Sequence, residues 1–105
     1  MAKTPEGRFK AKLIKDIKKE LPGCIVTKLE ADTCNGIPDI IILHKGKWAT
    51  LEAKDDISGV TKARPNKLAQ DCYVAEMNKM SFSRYVYPQN KSEVINELKV
   101  HFQQS

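Results

Sequence analysis

Residues 36–54 read GIPDIIILHKGKWATLEAK, and this stretch decides the fold. The isoleucine-rich run that follows Pro38 is too short for a helix of its own and is typical of a strand buried on both faces. Lys45-Gly46 predicts a turn, after which the chain returns as a second strand. The sequence therefore predicts an antiparallel β-hairpin over residues 38–54.

The hairpin brings two acidic residues together. A turn centred between Lys45 and Gly46 places Asp39 directly opposite Glu52, with their Cβ atoms roughly 4.5–5.5 Å apart. Because side chains alternate along a strand, Lys54 lies on the same face as Glu52. A register shifted by one residue would turn Asp39 to the opposite face, so this convergence depends on the turn.

Two carboxylates at this distance repel each other unless one is protonated or a cation lies between them. Mg²⁺ prefers oxygen ligands, and two carboxylates with water and phosphate oxygens suit it. Glu52 and Lys54 alone would fit the salt-bridged solvent face of a hairpin. Asp39 favours a metal site, because it stands at the start of an apolar strand where packing would prefer an apolar residue.

The flanking sequence predicts helices around the hairpin. Thr4-Pro5-Glu6 is typical of a helix start, and Pro22-Gly23 of a helix end. Glu6 extends the apolar stripe of this helix, so its carboxylate is expected to point toward the sheet edge. The predicted order is a helix to residue 21, strands at 24–29, 38–43 and 48–54, a helix at 65–80, a strand at 82–87 and a final helix that starts with a capping box at 90–93.

Composition limits the class of protein. The 105 residues fit a single domain, 1–105, and Lys and Arg exceed Asp and Glu by five, which favours polyanionic partners or serves solubility alone. Three cysteines without a CxxC pair predict free thiols rather than a disulfide framework or a zinc site. No long apolar run or signal-peptide core is present, so we expect a soluble intracellular protein without membrane contact, in a bacterium or an infected host cell.

The sequence reads Gly36-Ile37-Pro38-Asp39 followed by three isoleucines, and twelve residues separate Asp39 from Glu52-Ala53-Lys54. This pattern resembles the PD-(D/E)XK nuclease signature. The chain is most similar to the compact VRR-Nuc group of that superfamily, which is often found in phage and mobile elements. The resemblance extends over residues 6–87. It implies an α/β fold with a restriction-endonuclease-like αβββαβ core, in which helices flank a mixed central sheet and a C-terminal helix is added.

The resemblance also implies roles for individual residues. Asp39 and Glu52 would bind Mg²⁺, with Mn²⁺ as a substitute, and Lys54 would assist the attacking water. Glu6 corresponds to an acidic residue of the first helix that joins the metal site, and Gln70 to a glutamine typical of the helix after the signature. Glu6 and Gln70 could instead be ordinary polar residues on helix surfaces.

Basic residues supply a further prediction. Lys62, Arg64 and Lys67 flank the start of the second predicted long helix, and Arg8 lies in the first helix. As a group they could neutralise phosphates of a bound nucleic acid, although for any one of them a solvated surface is the simpler interpretation.

These observations favour a divalent-metal-dependent DNA endonuclease, either homing-type or structure-specific, and a Holliday-junction or branched-DNA resolvase is an alternative. One small core carries one site, so cutting both strands of DNA would require a homodimer. A non-catalytic nucleic-acid-binding module is the alternative from another class. An RNase is also open, because nothing in the sequence recognises a 2′-hydroxyl.

Overall fold

A four-stranded sheet with helices on both faces forms the frame of the protein. The computed structural model describes residues 4–30 and 33–104. The expected α/β class is confirmed, and the sheet is mixed. In chain order the elements are α1 (Pro5–Glu20), β1 (Ile25–Lys28), β2 (Ile40–His44), β3 (Lys47–Ala53), α2 (Ser58–Thr61), α3 (Lys67–Met80), β4 (Ser83–Val86) and α4 (Lys91–Gln103).

The hairpin register is the one that the turn predicts. The strands lie in the order β1-β2-β3-β4, and β2 pairs antiparallel with β3 from His44↔Lys47 to Ile40↔Leu51. Lys45 and Gly46 both have positive φ, 52° and 76°, the conformation of a two-residue hairpin turn that matches strand twist. The next pair beyond Ile40↔Leu51 is therefore Asp39 opposite Glu52.

Helix α1 begins and ends where its sequence predicts. The Thr4 hydroxyl accepts a hydrogen bond from the Gly7 amide at 3.0 Å, and Pro5 opens the first turn. Leu13 and Ile17 are fully buried, which confirms the predicted apolar stripe. This stripe fixes α1 on one face of the sheet.

The two faces of the sheet are covered by different helices. Alternate residues of β2 and β3 share one core with the apolar stripes of α1 and α4. Helix α3 packs on the other face over β3 and β4, where the Thr50 hydroxyl contacts the Met77 sulfur at 3.9 Å. The central core residues are Leu13, Ile17, Ile40, Ile42, Leu51, Val86, Val94 and Leu98.

The expectation that β2 is buried on both faces is wrong in part. Ile40 and Ile42 are fully buried, but Ile41 is half-buried and Leu43 is 42% exposed. Helix α3 lies over β3 and β4, so the same face of β2 lacks a covering helix among the described residues. An isoleucine-rich run therefore marks a strand here without marking complete burial.

Three local details also differ from the sequence prediction. The segment expected to be a loop contains the short helix α2, and α3 begins at Lys67 rather than at Pro65. Asn90 is the N-cap residue of α4, but its side chain does not cap the helix. Its amide oxygen accepts from the Tyr87 amide at 2.8 Å and its amide nitrogen donates to the Tyr85 carbonyl at 3.1 Å, because the end of β4 uses these groups instead.

In residues 4–30 and 33–104, no helix combines the length and apolar character that crossing a membrane requires.

Cys24, Cys34 and Cys72 are free thiols, as predicted.

Candidate active site

Asp39 lies just before β2, where its carboxylate is held from two sides. Its Oδ1 accepts a hydrogen bond from the Ala53 amide at 3.1 Å, which fastens the side chain to the end of β3. Its Oδ2 lies 2.5 Å from the Lys10 ammonium of α1. The position of Asp39 at the start of β2 is thus fixed by a backbone hydrogen bond and by charge together.

Glu52 lies on β3, facing the same side as Asp39, with its side chain only 6% exposed. Burial disfavours the charged carboxylate, and the nearby charge of Asp39 disfavours it further. Lys54 and Lys10 act in the opposite direction, but the net effect raises the pKa of Glu52 to about 7. Glu52 can therefore bind or release a proton near neutral pH, and a cation would stabilise its charged form.

Lys54 directly follows β3, and its side chain points to Glu52. Its ammonium lies 3.3 Å from Glu52 Oε2, and its side chain is 12% exposed. The short helix α2 covers the aliphatic part of this side chain, because a Cβ added at Gly59 would come within 3.0–3.1 Å of the Lys54 Cβ, Cγ and Cδ atoms. Gly59 therefore allows α2 to hold Lys54 closely, a role that the sequence prediction missed.

Lys10 is a further site residue that the sequence prediction did not identify. Burial lowers the pKa of its ammonium, but the hydrogen bond and charge of Asp39, with the charges of Glu6 and Glu52, outweigh this and raise the pKa. The spacing of the sequence could have identified Lys10, because it lies four residues after Glu6 and three before the buried Leu13, on the same face of the helix.

The donor set of Asp39 and Glu52 fits a hard divalent cation. Mg²⁺ is commonly bound through one or two carboxylates and keeps several waters. Among the residues that the structure describes, no three Asp, Glu, His or Cys side chains form a metal-binding group. Glu6 influences Lys10 by its charge, and its assignment as a third ligand stays a prediction.

Gln70 lies on α3 in a polar network on the same side of the sheet as Glu52. Its amide oxygen accepts hydrogen bonds from Arg64 Nε at 3.2 Å and Arg64 Nη2 at 2.6 Å. Arg64 Nη2 also donates to the Tyr85 hydroxyl at 3.2 Å, and Tyr85 is the register partner of Glu52 on β4. The network therefore adjoins Glu52 through Tyr85, while the catalytic role of Gln70 stays a prediction.

Tyr85 links this network to α3. Its hydroxyl donates to Asp71, which also pairs with Lys67 at 2.5 Å. Burial and the hydrogen bond to Asp71 raise the pKa of Tyr85 to about 12, and the bonds from Lys67 and Tyr85 lower the pKa of Asp71. Tyr85 is thus a hydrogen-bond donor at neutral pH. The alternating pattern of its strand did not predict this role, because it depends on contacts with α3.

The four basic residues predicted to bind nucleic acid differ in their surroundings. Lys62 and Arg8 are exposed. Arg64 and Lys67 are partly buried and held by Gln70, Tyr85 and Asp71. Phosphate binding by these residues stays a prediction, and for Arg64 and Lys67 it would compete with the network.

Gly36 lies where the loop before Asp39 packs against α3. Gly36 has a φ of +91°, and a Cβ atom added to it would come within 2.7 Å of the Ala69 Cβ and 3.1 Å of the Gln70 backbone nitrogen. Glycine permits both this conformation and this approach. The loop that carries Asp39 therefore packs directly against the helix that carries Gln70.

Comparison with known proteins identifies the architecture. No family model and no curated protein matches the sequence. Among solved structures, the chain is similar to one described as a VRR_NUC domain, with a TM-score of 0.64 and 22% sequence identity, over 90% of this chain and 97% of that one. The chain therefore has the VRR-Nuc-type, restriction-endonuclease-like nuclease fold.

Proposed function

We propose that this protein is a divalent-metal-dependent DNA endonuclease that hydrolyses phosphodiester bonds. The observation that carries the proposal is that Asp39, just before β2, continues the hairpin register opposite Glu52 of β3 and acts on it by its charge, with Lys54 3.3 Å from Glu52. Burying Glu52 beside the partly exposed Asp39 is costly without a cation, and the elevated pKa of Glu52 reflects that cost.

Each residue has a role in this proposal. Asp39 and Glu52 would hold Mg²⁺ or Mn²⁺, with Glu6 as a further ligand. The bound ion supplies Lewis acidity and lowers the pKa of water. Lys54, held by α2, would orient the attacking water and stabilise negative charge that develops on the phosphate. Gln70, fixed by Arg64, would help to orient the substrate.

The surface and size of the chain bear on the substrate. A net charge of +5 favours a polyanion, and Lys62 and Arg8 offer exposed cations for its phosphates. DNA is the proposed substrate, either as a homing-type target or as a branched structure such as a Holliday junction. Cleavage of both strands would use a homodimer, and free thiols agree with an intracellular location.

A cleavage assay tests the proposal. The purified chain is incubated with linear, nicked, flap, four-way-junction and single-stranded DNA, and with single-stranded RNA, in Mg²⁺, Mn²⁺ or EDTA. We expect metal-dependent cleavage of at least one DNA substrate and none in EDTA. The substrate that is cut fastest distinguishes a resolvase from a homing-type enzyme and from an RNase.

Asp39→Asn and Lys54→Met are the diagnostic variants, and Glu76→Gln on the exposed surface of α3 is the matched control. Cleavage should disappear in the first two and persist in the control, with circular dichroism showing that all three are folded. Full activity in Asp39→Asn or Lys54→Met would contradict the proposal.

A non-catalytic nucleic-acid-binding module is the second candidate, and one observation favours it. Both acids already have lysine partners, Lys10 for Asp39 and Lys54 for Glu52, so their charges are balanced without metal. In that case DNA would bind equally well with EDTA and with Mg²⁺, and Asp39→Asn would leave the affinity unchanged. A filter-binding or anisotropy titration in both conditions separates the two functions.

A further inference from the structure

Lys10 occupies an unusual position for a lysine. Glu6, Lys10, Leu13 and Ile17 follow one another at spacings of four, three and four, which places them on one face of α1. Leu13 and Ile17 are fully buried, and the Lys10 side chain is 17% exposed. A lysine so far removed from water requires a counter-ion.

Asp39 is that counter-ion, and the contact leaves little of its carboxylate for another partner. Oδ2 lies 2.5 Å from the Lys10 ammonium, while Oδ1 accepts the Ala53 amide at 3.1 Å. A divalent cation on Oδ2 would lie within a few ångströms of the Lys10 ammonium, and the repulsion between these two positive charges favours displacement of Lys10. The Ala53 bond can persist during this exchange, because it uses the other oxygen.

The charges around Lys10 support the same conclusion. Glu6, Asp39 and Glu52 all act favourably on its ammonium, and these are the three residues predicted to hold the metal. The positive charge of Lys10 therefore lies in the field of the acids where a divalent cation would bind. Lys54 differs, because it lies two residues after Glu52 in the chain, whereas Lys10 comes from a separate helix.

We propose that Lys10 is an internal counter-ion of the metal site, which neutralises Asp39 in the metal-free protein and competes with the divalent cation for its Oδ2 atom. This inference rests on the proposed metal-dependent function. Lys10 is a positioning residue in this account, since it acts through Asp39. In the metal-free protein, its ion pair with Asp39 holds α1 against the start of β2. The same ion pair makes metal binding weaker than it would be without Lys10.

The test measures Mn²⁺ binding to the full chain by isothermal titration calorimetry, and thermal unfolding with EDTA or saturating Mn²⁺. The variants are Lys10→Met, which removes the charge, and Lys10→Arg, which keeps it. Lys15→Met is the matched control, because Lys15 is an exposed lysine of the same helix. DNA is absent, so neither measurement depends on cleavage.

We expect Lys10→Met to bind Mn²⁺ more tightly than wild type, by roughly tenfold or more. Its Tm should fall in EDTA and recover with Mn²⁺, because the metal replaces the lost counter-ion. Lys10→Arg should lie near wild type in both measurements, and Lys15→Met should match wild type. Lys10→Gln provides a second uncharged variant if Lys10→Met does not fold in EDTA.

Equal or weaker Mn²⁺ binding by folded Lys10→Met and Lys10→Gln would overturn the inference while leaving the metal site in place. Failure of wild type and all variants to bind Mn²⁺ would overturn both the inference and the metal dependence of the proposed function. Wild-type affinity in Lys10→Arg together with tighter Mn²⁺ binding in Lys10→Met would support the inference, because it would show that the charge at position 10 is what matters.

Discussion

The two faces of the central sheet contrast sharply, although they are built from alternate residues of the same strands. On the face under α1 and α4, Leu51 and Ile40 are fully buried in an apolar core. On the face toward α3, Glu52 is paired with Lys54, while Asp39, just before β2, is held by the Ala53 amide and by Lys10 of α1. The period of two along a strand thus separates residues that stabilise the fold from residues available for chemistry.

The apolar face allows a small domain to tolerate a buried acid on the other face. The pKa of Glu52 is raised because its carboxylate is buried near another acid, and the adjacent apolar face supplies the stability that offsets this. Substitutions on the two faces should therefore have opposite signatures in activity and in stability.

The largest expected effect is on catalysis. Glu52→Gln should lower the rate of DNA cleavage roughly 100-fold or more, because it removes a proposed metal ligand. The Tm of the metal-free variant at pH 8 should equal or exceed that of wild type, because a neutral side chain replaces a buried charge. Single-turnover cleavage and differential scanning calorimetry measure the two quantities, and a large fall in Tm with full activity would break the comparison.

The opposite signature is expected one residue earlier. Leu51→Ala should reduce the free energy of unfolding by about 2–5 kcal/mol, because it leaves a cavity in the core. Urea unfolding measures this change. The cleavage rate per folded molecule at low temperature should stay close to wild type, and selective loss of activity without loss of stability would show that the two faces are not separate.

The titration of Glu52 gives a pH dependence. Its pKa is raised from 4.5 to about 7, so the folded state holds this proton more tightly than the unfolded state. The resulting stability is full below pH 4.5 and is lost as the pH rises through 7, to a total of about 3 kcal/mol. Urea unfolding of the metal-free protein at several pH values checks this, and Glu52→Gln should lack this component of the pH dependence.

The smallest expected effect concerns the support of Lys54. Gly59→Ala places a methyl group 3.0–3.1 Å from its side-chain carbons, so the ammonium should shift. We expect cleavage to fall by roughly three- to tenfold, since a small misplacement of a catalytic group is costly. The Tm should change little, because alanine favours helices. Gly46→Ala is not a suitable control, since Gly46 has positive φ, and Ser58→Ala on α2 serves instead.

The sequence predicted the hairpin and its paired acids because both depend on local geometry. The two residues at Lys45-Gly46 determine the register, and the register determines which side chains face each other. The helix start at Thr4 was equally local, since its hydroxyl and Pro5 act within one turn. These features required no knowledge of distant contacts.

The remaining site features depend on how distant elements meet. Lys10 reaches Asp39 only because α1 packs across the end of the hairpin. Tyr85 lies beside Glu52 because β4 returns parallel to β3 after α3. The half-exposed side of β2 likewise reflects where α3 lies, which the isoleucine run could not specify. The short helix α2 was missed because its four residues are too few to show a helical period.

If Asp39 and Glu52 form one divalent-metal site, the affinity for Mn²⁺ depends on the Asp39 carboxylate, and the Asp39→Asn variant measures this dependence. Isothermal titration calorimetry at pH 8, above the raised pKa of Glu52, compares this variant with wild type and Glu76→Gln. We predict binding to wild type and Glu76→Gln, and an affinity lower by roughly tenfold or more in folded Asp39→Asn. Equal affinity in all three proteins would contradict the account.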